Sequence, residues 1–372
     1  SIWFWKREVI MKIAMILPSL AKSGPGIQVE SLCKEFLKKK YVVEVFYIRE
    51  TDNVSLEFYG IKKTKLHFNK GVVDSFRTFD IIHSNGFYPD LIGLLIGNYL
   101  SSTVHFTTMH NFIKEDIASR YSKAKAKLYS SLWLAVIKKI KYKIVFTDIA
   151  KKYYQPMIGN TIYIAGSGID IPTVEGKIND KSEITDEFTK AICHFKNRNY
   201  KIIGTTSILT SVKKIDTIIN ALVELKDYAA IFVGGGSEEN KLIKLATELN
   251  VIDRCLFIGF KENPCVYLNY FDIYAMPSSS ESFGLSLFEA IISRLPIICC
   301  DLPIYEELLN AHSLHKFDGT TSDFIRVISS IDDHDPDATF EAYNEVKEKY
   351  SMSKIALNYY NCYQDALEHE RI

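Results

Sequence analysis

The stretch over residues 272–293 constrains the fold of this chain more than any other. An apolar run at residues 272–277, closed by Pro277, reads as a buried strand. Ser278, Ser279 and Ser280 follow, then Glu281, Ser282, Phe283 and Gly284; small polar residues ending in a glycine read as a loop. Over residues 285–293 the apolar spacing turns helical, with Leu285, Phe288, Ala290 and Ile292 among the periodic positions. Strand, small-residue loop and helix together aim free backbone N–H groups and a positive helix end at an anion. Glu281 in the loop and Glu289 about one turn into the helix frame that position, eight residues apart. A carboxylate does not bind phosphate, but it accepts hydrogen bonds from sugar hydroxyls. Phosphate on N–H groups and hydroxyls on flanking carboxylates describe a nucleotide-sugar. A capping loop with two solvated glutamates is the other reading.

The rest of the chain predicts an α/β protein of two doubly wound halves, and its 372 residues suffice for two domains. Residues 12–18 read as a buried strand, residues 21–26 as a tight loop, residues 27–39 as a helix and residues 42–48 as the next strand. Strands follow at residues 81–83, 103–108 and 143–146, with one long basic helix at about residues 115–139. Residues 170–199 are polar and mixed in charge, and the domain boundary is read there. The pattern then restarts: strand 201–206, helix 215–225, strand 230–233 ending in Gly234, Gly235 and Gly236, helix 239–249, strand 255–259, a short helix 263–270 and the central segment. Strand 296–300 and helix 304–309 follow it, and residues 352–367 read as a tyrosine-rich terminal helix.

The run Pro277-Ser278-Ser279-Ser280-Glu281-Ser282-Phe283-Gly284-Leu285 and the E-x7-E spacing resemble the GT-B family 4 retaining glycosyltransferases, a likeness that extends over about residues 11–367. It implies two Rossmann-like doubly wound domains facing a cleft: an acceptor-binding domain at residues 1–175 with a returning helix at 350–372, and a nucleotide-sugar-binding domain at 176–349. It also implies transfer of a hexose or N-acetylhexosamine from a nucleotide diphosphate sugar, a UDP-sugar, to a hydroxyl of a glycan acceptor that is lipid-linked, in bacterial surface polysaccharide biosynthesis. By position, Glu281 matches the residue on the transferred sugar and Glu289 the residue on the ribose, while Phe283, Gly284 and Leu285 supply N–H groups to phosphate. Phe260 and Lys261 stand where the base is held, and Gly236 and Ser207 at neighbouring strand ends. Lys213 fits the family's diphosphate lysine. The usual arginine is replaced by Ile208, or by Ser207 if the alignment slips, and Lys214 stands where glycine is usual. In the first domain His110 follows a strand end near the reacting sugar. Gly24 and Gly26 lie at the cleft or serve turn geometry alone; His83 and Asn85 end a strand as acceptor contacts or as structure.

The family implies no cofactor and no metal. The overlapping D-x-D at Asp333, Asp335 and Asp337 has no strand before it and reads as solvated surface. Seven cysteines without C-x-x-C spacing predict reduced thiols and a cytoplasmic protein. Residues 1–170 hold 25 of the 45 Lys and Arg but 14 of the 45 Asp and Glu. On the long helix Arg120, Lys123, Lys127 and Lys138 share one side, with Tyr129, Trp133 and Val136 opposite. That face suits an anionic membrane surface at the inner side of the cell membrane, or is simply solvated; a nucleic-acid partner is not expected. Residues 1–10, with Trp3, Phe4 and Trp5, read as an extension or a membrane-touching tail. Two rival functions stay open: a GT-B sugar-nucleotide epimerase or hydrolase, and a degenerate nucleotide-sugar-binding subunit.

Overall fold

The structure, a computed structural model, describes residues 10–51, 55–67, 71–100, 102–159, 161–310, 314–331 and 336–370. Trp3, Phe4, Trp5, Asp333 and Asp335 lie outside these residues. Contacts divide the chain into two units, one running up to Gly168 and taking in the segment from Met352, the other from Ile169 to Ser351.

The first unit alternates strand and helix: β1 (Lys12–Leu17), α1 (Gly24–Lys38), β2 (Val42–Tyr47), β3 (Lys62–Lys65), β4 (Ile81–Ser84), α2 (Phe87–Gly97), β5 (Val104–Thr108), α3 (Ile113–Arg120), α4 (Lys123–Lys139), β6 (Tyr142–Val145), α5 (Asp148–Ile158) and β7 (Ile162–Ile164). Among the described residues its strands form one parallel sheet in the order β3-β2-β1-β4-β5-β6-β7. The central strands β1, β4, β5 and β6 are buried almost throughout because helices cover both faces, while the edge strand β3 is polar and exposed or half-buried. One core joins α1 to the sheet through Leu32, Phe36, Ile13 and Met15, and another places Ala14, Ile82, Ile92 and Ile96 on the opposite side.

The second unit contains α6 (Ile171–Asn179), α7 (Asp186–Asn197), β8 (Lys201–Thr206), α8 (Ile215–Ala221), β9 (Tyr228–Val233), α9 (Glu239–Glu248), β10 (Cys255–Gly259), β11 (Ile273–Met276), α10 (Leu285–Ile292), β12 (Ile297–Cys300), α11 (Pro303–Leu308), β13 (His315–Phe317), α12 (Thr321–Ser329) and α13 (Pro336–Tyr350). Its parallel sheet, again among the described residues, has the order β10-β9-β8-β11-β12-β13. The last helix, α14 (Met352–Glu370), belongs to the first unit. It is held there by Tyr359 and Tyr363, both buried, and by the stacking of Tyr360 on Tyr41 at 5.1 Å.

Two expectations change. The boundary read within residues 170–199, with the domains divided after residue 175, moves to between Gly168 and Ile169, because α6 packs inside the second unit. Asn269 Nδ2 donates to the carbonyl of Ile178 at 2.6 Å and Asn263 Nδ2 to that of Lys177 at 2.8 Å. The polarity of α7 belongs to its outer side, while Phe188, Ile192 and Phe195 are buried. The long helix of residues 115–139 is two helices, with Tyr121 and Ser122 extended between them. The break lets α3 turn back so that Ile113 and Ile117 pack in one core with Ala126 and Ile137. A straight helix would leave them apart.

In each sheet the strand order reverses once, between β1 and β4 and between β8 and β11. Open parallel sheets bind ligands beyond the carboxyl ends of their strands at such a point, which locates the two sites below.

Candidate active site

Beyond β8 and β11 the second unit brings Lys213 and Glu281 together. Lys213 closes the short 3-10 turn Ser211–Lys213 after β8, and Glu281 sits in the serine loop after β11. Lys213 Nζ donates to Glu281 Oε1 at 2.5 Å, with the carboxylate mostly buried. The two loops are tied together by Ser279, whose N–H and hydroxyl both donate to the carbonyl of Val212, at 2.8 and 3.2 Å. Gly284 then enters α10 at φ 81°, the left-handed region where a side chain is strained. Gly284 brings no side-chain cap to the helix, whose start offers first-turn N–H groups and a positive end. Phe283 contributes anchorage: its buried ring stacks on Phe288 at 4.3 Å and meets Tyr350 edge-on. Glu289 lies one turn further, half-buried. Behind these carboxylates burial pushes the Tyr274 hydroxyl up to about 12, and burial with the charge of Glu281 holds the Tyr305 hydroxyl well above its usual value. Both stay neutral hydroxyls beside the site.

The rim is built by backbone packing. Ser207 N–H donates to Val233, Leu209 N–H to Gly235 and Gly234 N–H to Gly259, so the ends of β8, β9 and β10 form one surface. Gly234 and Gly236 are required there: an added Cβ would stand 1.9 Å from the Ser207 carbonyl oxygen and 2.3 Å from that of Leu209. Gly236 therefore answers to chain packing. Two large apolar side chains project from this rim, Ile208 and Phe260, each 67% exposed. Lys261, next to Phe260, is half-buried, and the Ser207 hydroxyl is buried without a hydrogen-bond partner. Lys214 sits at φ 51°, a left-handed position that explains why glycine suits this place better.

In the first unit, a cavity of about 480 Å³ opens beyond β1, β4 and β5. Gly26, Arg49, Asn85 and His110 line it, with an aromatic wall of Phe87, Tyr88, Tyr121, Tyr129 and Trp133. His110 Nε2 donates to Asn85 Oδ1 at 2.8 Å, and burial lowers the imidazole to about 4, which keeps it neutral at pH 7. Trp133 Nε1 donates to the buried carboxylate of Asp90 at 2.7 Å, fixing α4 against α2. Gly26 lies where a Cβ would meet Leu56 at 2.7 Å, and its N–H is taken by the capping hydroxyl of Ser23. Gly24 is exposed and has open space around it. Among the described residues no group of three His, Cys, Asp or Glu side chains is placed to hold a metal ion, and no helix is long and apolar enough to cross a membrane.

Residues 189–337 match the family described as glycosyl transferases group 1. Over almost its whole length the chain is similar to the O-antigen biosynthesis glycosyltransferase WclY of Escherichia coli, 28% identical over 356 residues, spanning 95% of this chain and 98% of the relative. Its fold is that of Anabaena Alr3699/HepE, solved in complex with UDP, with a TM-score of 0.75 at 16% identity over 94% of this chain and 99% of the other. The lipopolysaccharide outer core galactosyltransferase WaaB shares it as well, with a TM-score of 0.67 at 16% identity over 96% and 100%. The chain has the fold of the GT-B glycosyltransferases.

In this glycosyltransferase Lys213, Glu281, Gly284, Leu285 and Glu289 gather around one helix end, and Ser207, Gly236, Phe260 and Lys261 lie on strand-end loops of the same unit. His110, Asn85 and Gly26 line the cavity of the other. His83 does not. It is 1% exposed, and its two ring nitrogens are engaged by the hydroxyls of Tyr363 at 2.5 Å and Thr108 at 2.7 Å, so it fastens α14 to the sheet and is closed to a ligand. The sequence reading also missed the aromatic wall. Phe87 and Tyr88, directly after the strand end and Gly86, were the available signal.

Proposed function

We propose that this glycosyltransferase moves a hexose or N-acetylhexosamine from a UDP-sugar to a hydroxyl of a lipid-linked glycan, with retention and without a metal, at the inner face of the cell membrane. The observation that carries the reading is the Lys213–Glu281 pair beside the start of α10. The bond from the sugar's anomeric carbon to the diphosphate oxygen breaks, the bond to the acceptor oxygen forms, and the acceptor's proton leaves with the nucleotide diphosphate. Negative charge grows on the leaving diphosphate, where Lys213 and the N–H groups of Leu285 and its neighbours stabilise it. Glu281 takes the hydroxyls of the transferred sugar and Glu289 those of the ribose. His110, neutral and oriented by Asn85, serves as a hydrogen-bonding group in the cavity of the first unit. The aromatic wall of the cavity in the first unit suits the apolar faces of a glycan acceptor, and the names of WclY and of HepE in complex with UDP support the substrate class.

A thermal-shift panel of UDP, GDP, ADP and their sugars tests the donor, since ligand at 100 times its Kd stabilises by about 2.7 kcal/mol. Turnover that a chelator abolishes would exclude the metal-free reading. The exposed Ile208 in place of the usual arginine favours a second reading, a subunit that binds donor without transferring it. Donor binding with no transfer to any acceptor glycan would establish that reading, and conversion of the donor alone would mark an epimerase or hydrolase.

A further inference from the structure

Helices α2 and α4 pack together, with the ring of Phe87 6.2 Å from that of Trp133, yet both leave large apolar side chains in solvent. On α2 these are Tyr88 (57% exposed), Leu91 and Leu95 (54%), one stripe at i, i+3 and i+7. On α4 they are Leu128 (56%) and Leu132 (48%), one turn apart, with Tyr129 (43%) toward the cavity. Buried residues of α4 include Ala126, Ser130 and Ile137, so the leucines are not its core face. Lys125 lies one turn before Leu128 on the same side, and Lys139 two turns after Leu132. Residues 123–139 carry five lysines and no acidic residue, and none of the five makes an ion pair among the described residues. The acidic residue of α2, Asp90, is buried.

We propose that the paired faces of α2 and α4 dock on an anionic lipid bilayer surface. Leucines ringed by lysines are the make-up of a helix lying in the membrane interface, where the apolar chains enter the headgroup boundary and the lysine stems reach back to the phosphates. A second copy of the chain is a poor occupant, since a two-fold contact would set these lysines against one another without an exposed acid between them. The docking face differs from the one the sequence reading chose: Lys123, Lys127 and Lys138 lie around α4 away from the leucines, and Arg120 belongs to α3. Tyr88 belongs both to this surface and to the lining of the cavity, so the cavity mouth would meet the bilayer. That last step rests on the proposed acceptor. The docking itself does not.

The test is sedimentation of the full chain with vesicles of phosphatidylcholine alone or mixed with phosphatidylglycerol. Binding is expected to the mixed vesicles and to weaken with salt. Leu128→Ser with Leu132→Ser, and separately Lys125→Glu with Lys139→Glu, should each lower the partition coefficient about tenfold or more. Both variants should keep the circular dichroism and thermal unfolding of the parent, which reports that α4 and the first unit fold. The proposal is overturned if the parent chain ignores phosphatidylglycerol, if the leucine variant binds like the parent, or if the parent is a dimer that the leucine variant disperses. Vesicle binding without UDP affinity in the parent would retain the docking surface and remove the donor reading.

Discussion

Lys213 and Glu281 are 68 residues apart in sequence and form a 2.5 Å ion pair. In the absence of donor each neutralises the other, so a diphosphate sugar competes for both partners at once. Lys213→Ala should lower kcat by about 10²-fold, more than it raises KM, because the lysine's charge matters most as the leaving group gains its own. Steady-state kinetics decide it. Full turnover in this variant would take Lys213 out of the site and leave Lys214 as the candidate cation.

Glu289→Ala and Glu281→Ala should separate cleanly. Loss of a carboxylate that accepts ribose hydroxyls costs about 1.5–3 kcal/mol, roughly 10- to 150-fold in UDP affinity. Glu281→Ala should spare UDP binding and depress transfer, since its partner is the sugar. Calorimetry with UDP is the measurement, and equal losses in both variants would contradict the division.

Ile208 is exposed, so Ile208→Arg should leave stability within about 0.5 kcal/mol. A guanidinium there should tighten UDP about tenfold through a charge-assisted contact to the diphosphate. Unchanged affinity would show that the side chain faces away from the nucleotide. Phe260→Ala should weaken UDP about five-fold or more if the exposed ring stacks on the base. A variant that binds UDP as the parent does would leave base recognition to the backbone.

Acid should destabilise the first unit. Burial lowers His105 to about 3 and His110 to about 4, and it lowers His83 well below its usual value. Below about pH 6.5 the unfolded chain therefore binds protons that the folded one refuses, and stability falls as pH drops. Between pH 6.5 and 5, His105 and His110 each account for about 2 kcal/mol. Asp90 works the other way. Burial holds it up to about 6, so its penalty at neutral pH is partly relieved as pH falls through 6 and restores about 1 kcal/mol by pH 5. The histidines prevail, and thermal unfolding should show a lower Tm at pH 5 than at pH 7.5. A Tm that rises on acidification would mean that Asp90 dominates.

The serine loop, its glycine and the following helix were legible in the sequence because they are contiguous: their geometry depends on neighbours within one turn. Glu281, Gly284 and Glu289 owe their places to that local chain, and the alternation of apolar runs with helical periods likewise determined two doubly wound halves. The tertiary structure decided what covers each residue. His83 reads as an acceptor contact or as structure at a strand end, and α14, far away in the sequence, decides for structure by closing over it through Tyr363. The polar run at residues 170–199 reads as the place of the domain boundary, yet Asn263 and Asn269, some 90 residues on, hold its first helix inside the second unit. Tyr129 and Trp133 read only as the side opposite the basic residues, and the structure sets them in a cavity lining while α4 buries Ala126, Ser130 and Ile137. Periodicity reports that a helix has two faces. Which face is buried is set by the elements packed against it, and those lie far away in the sequence.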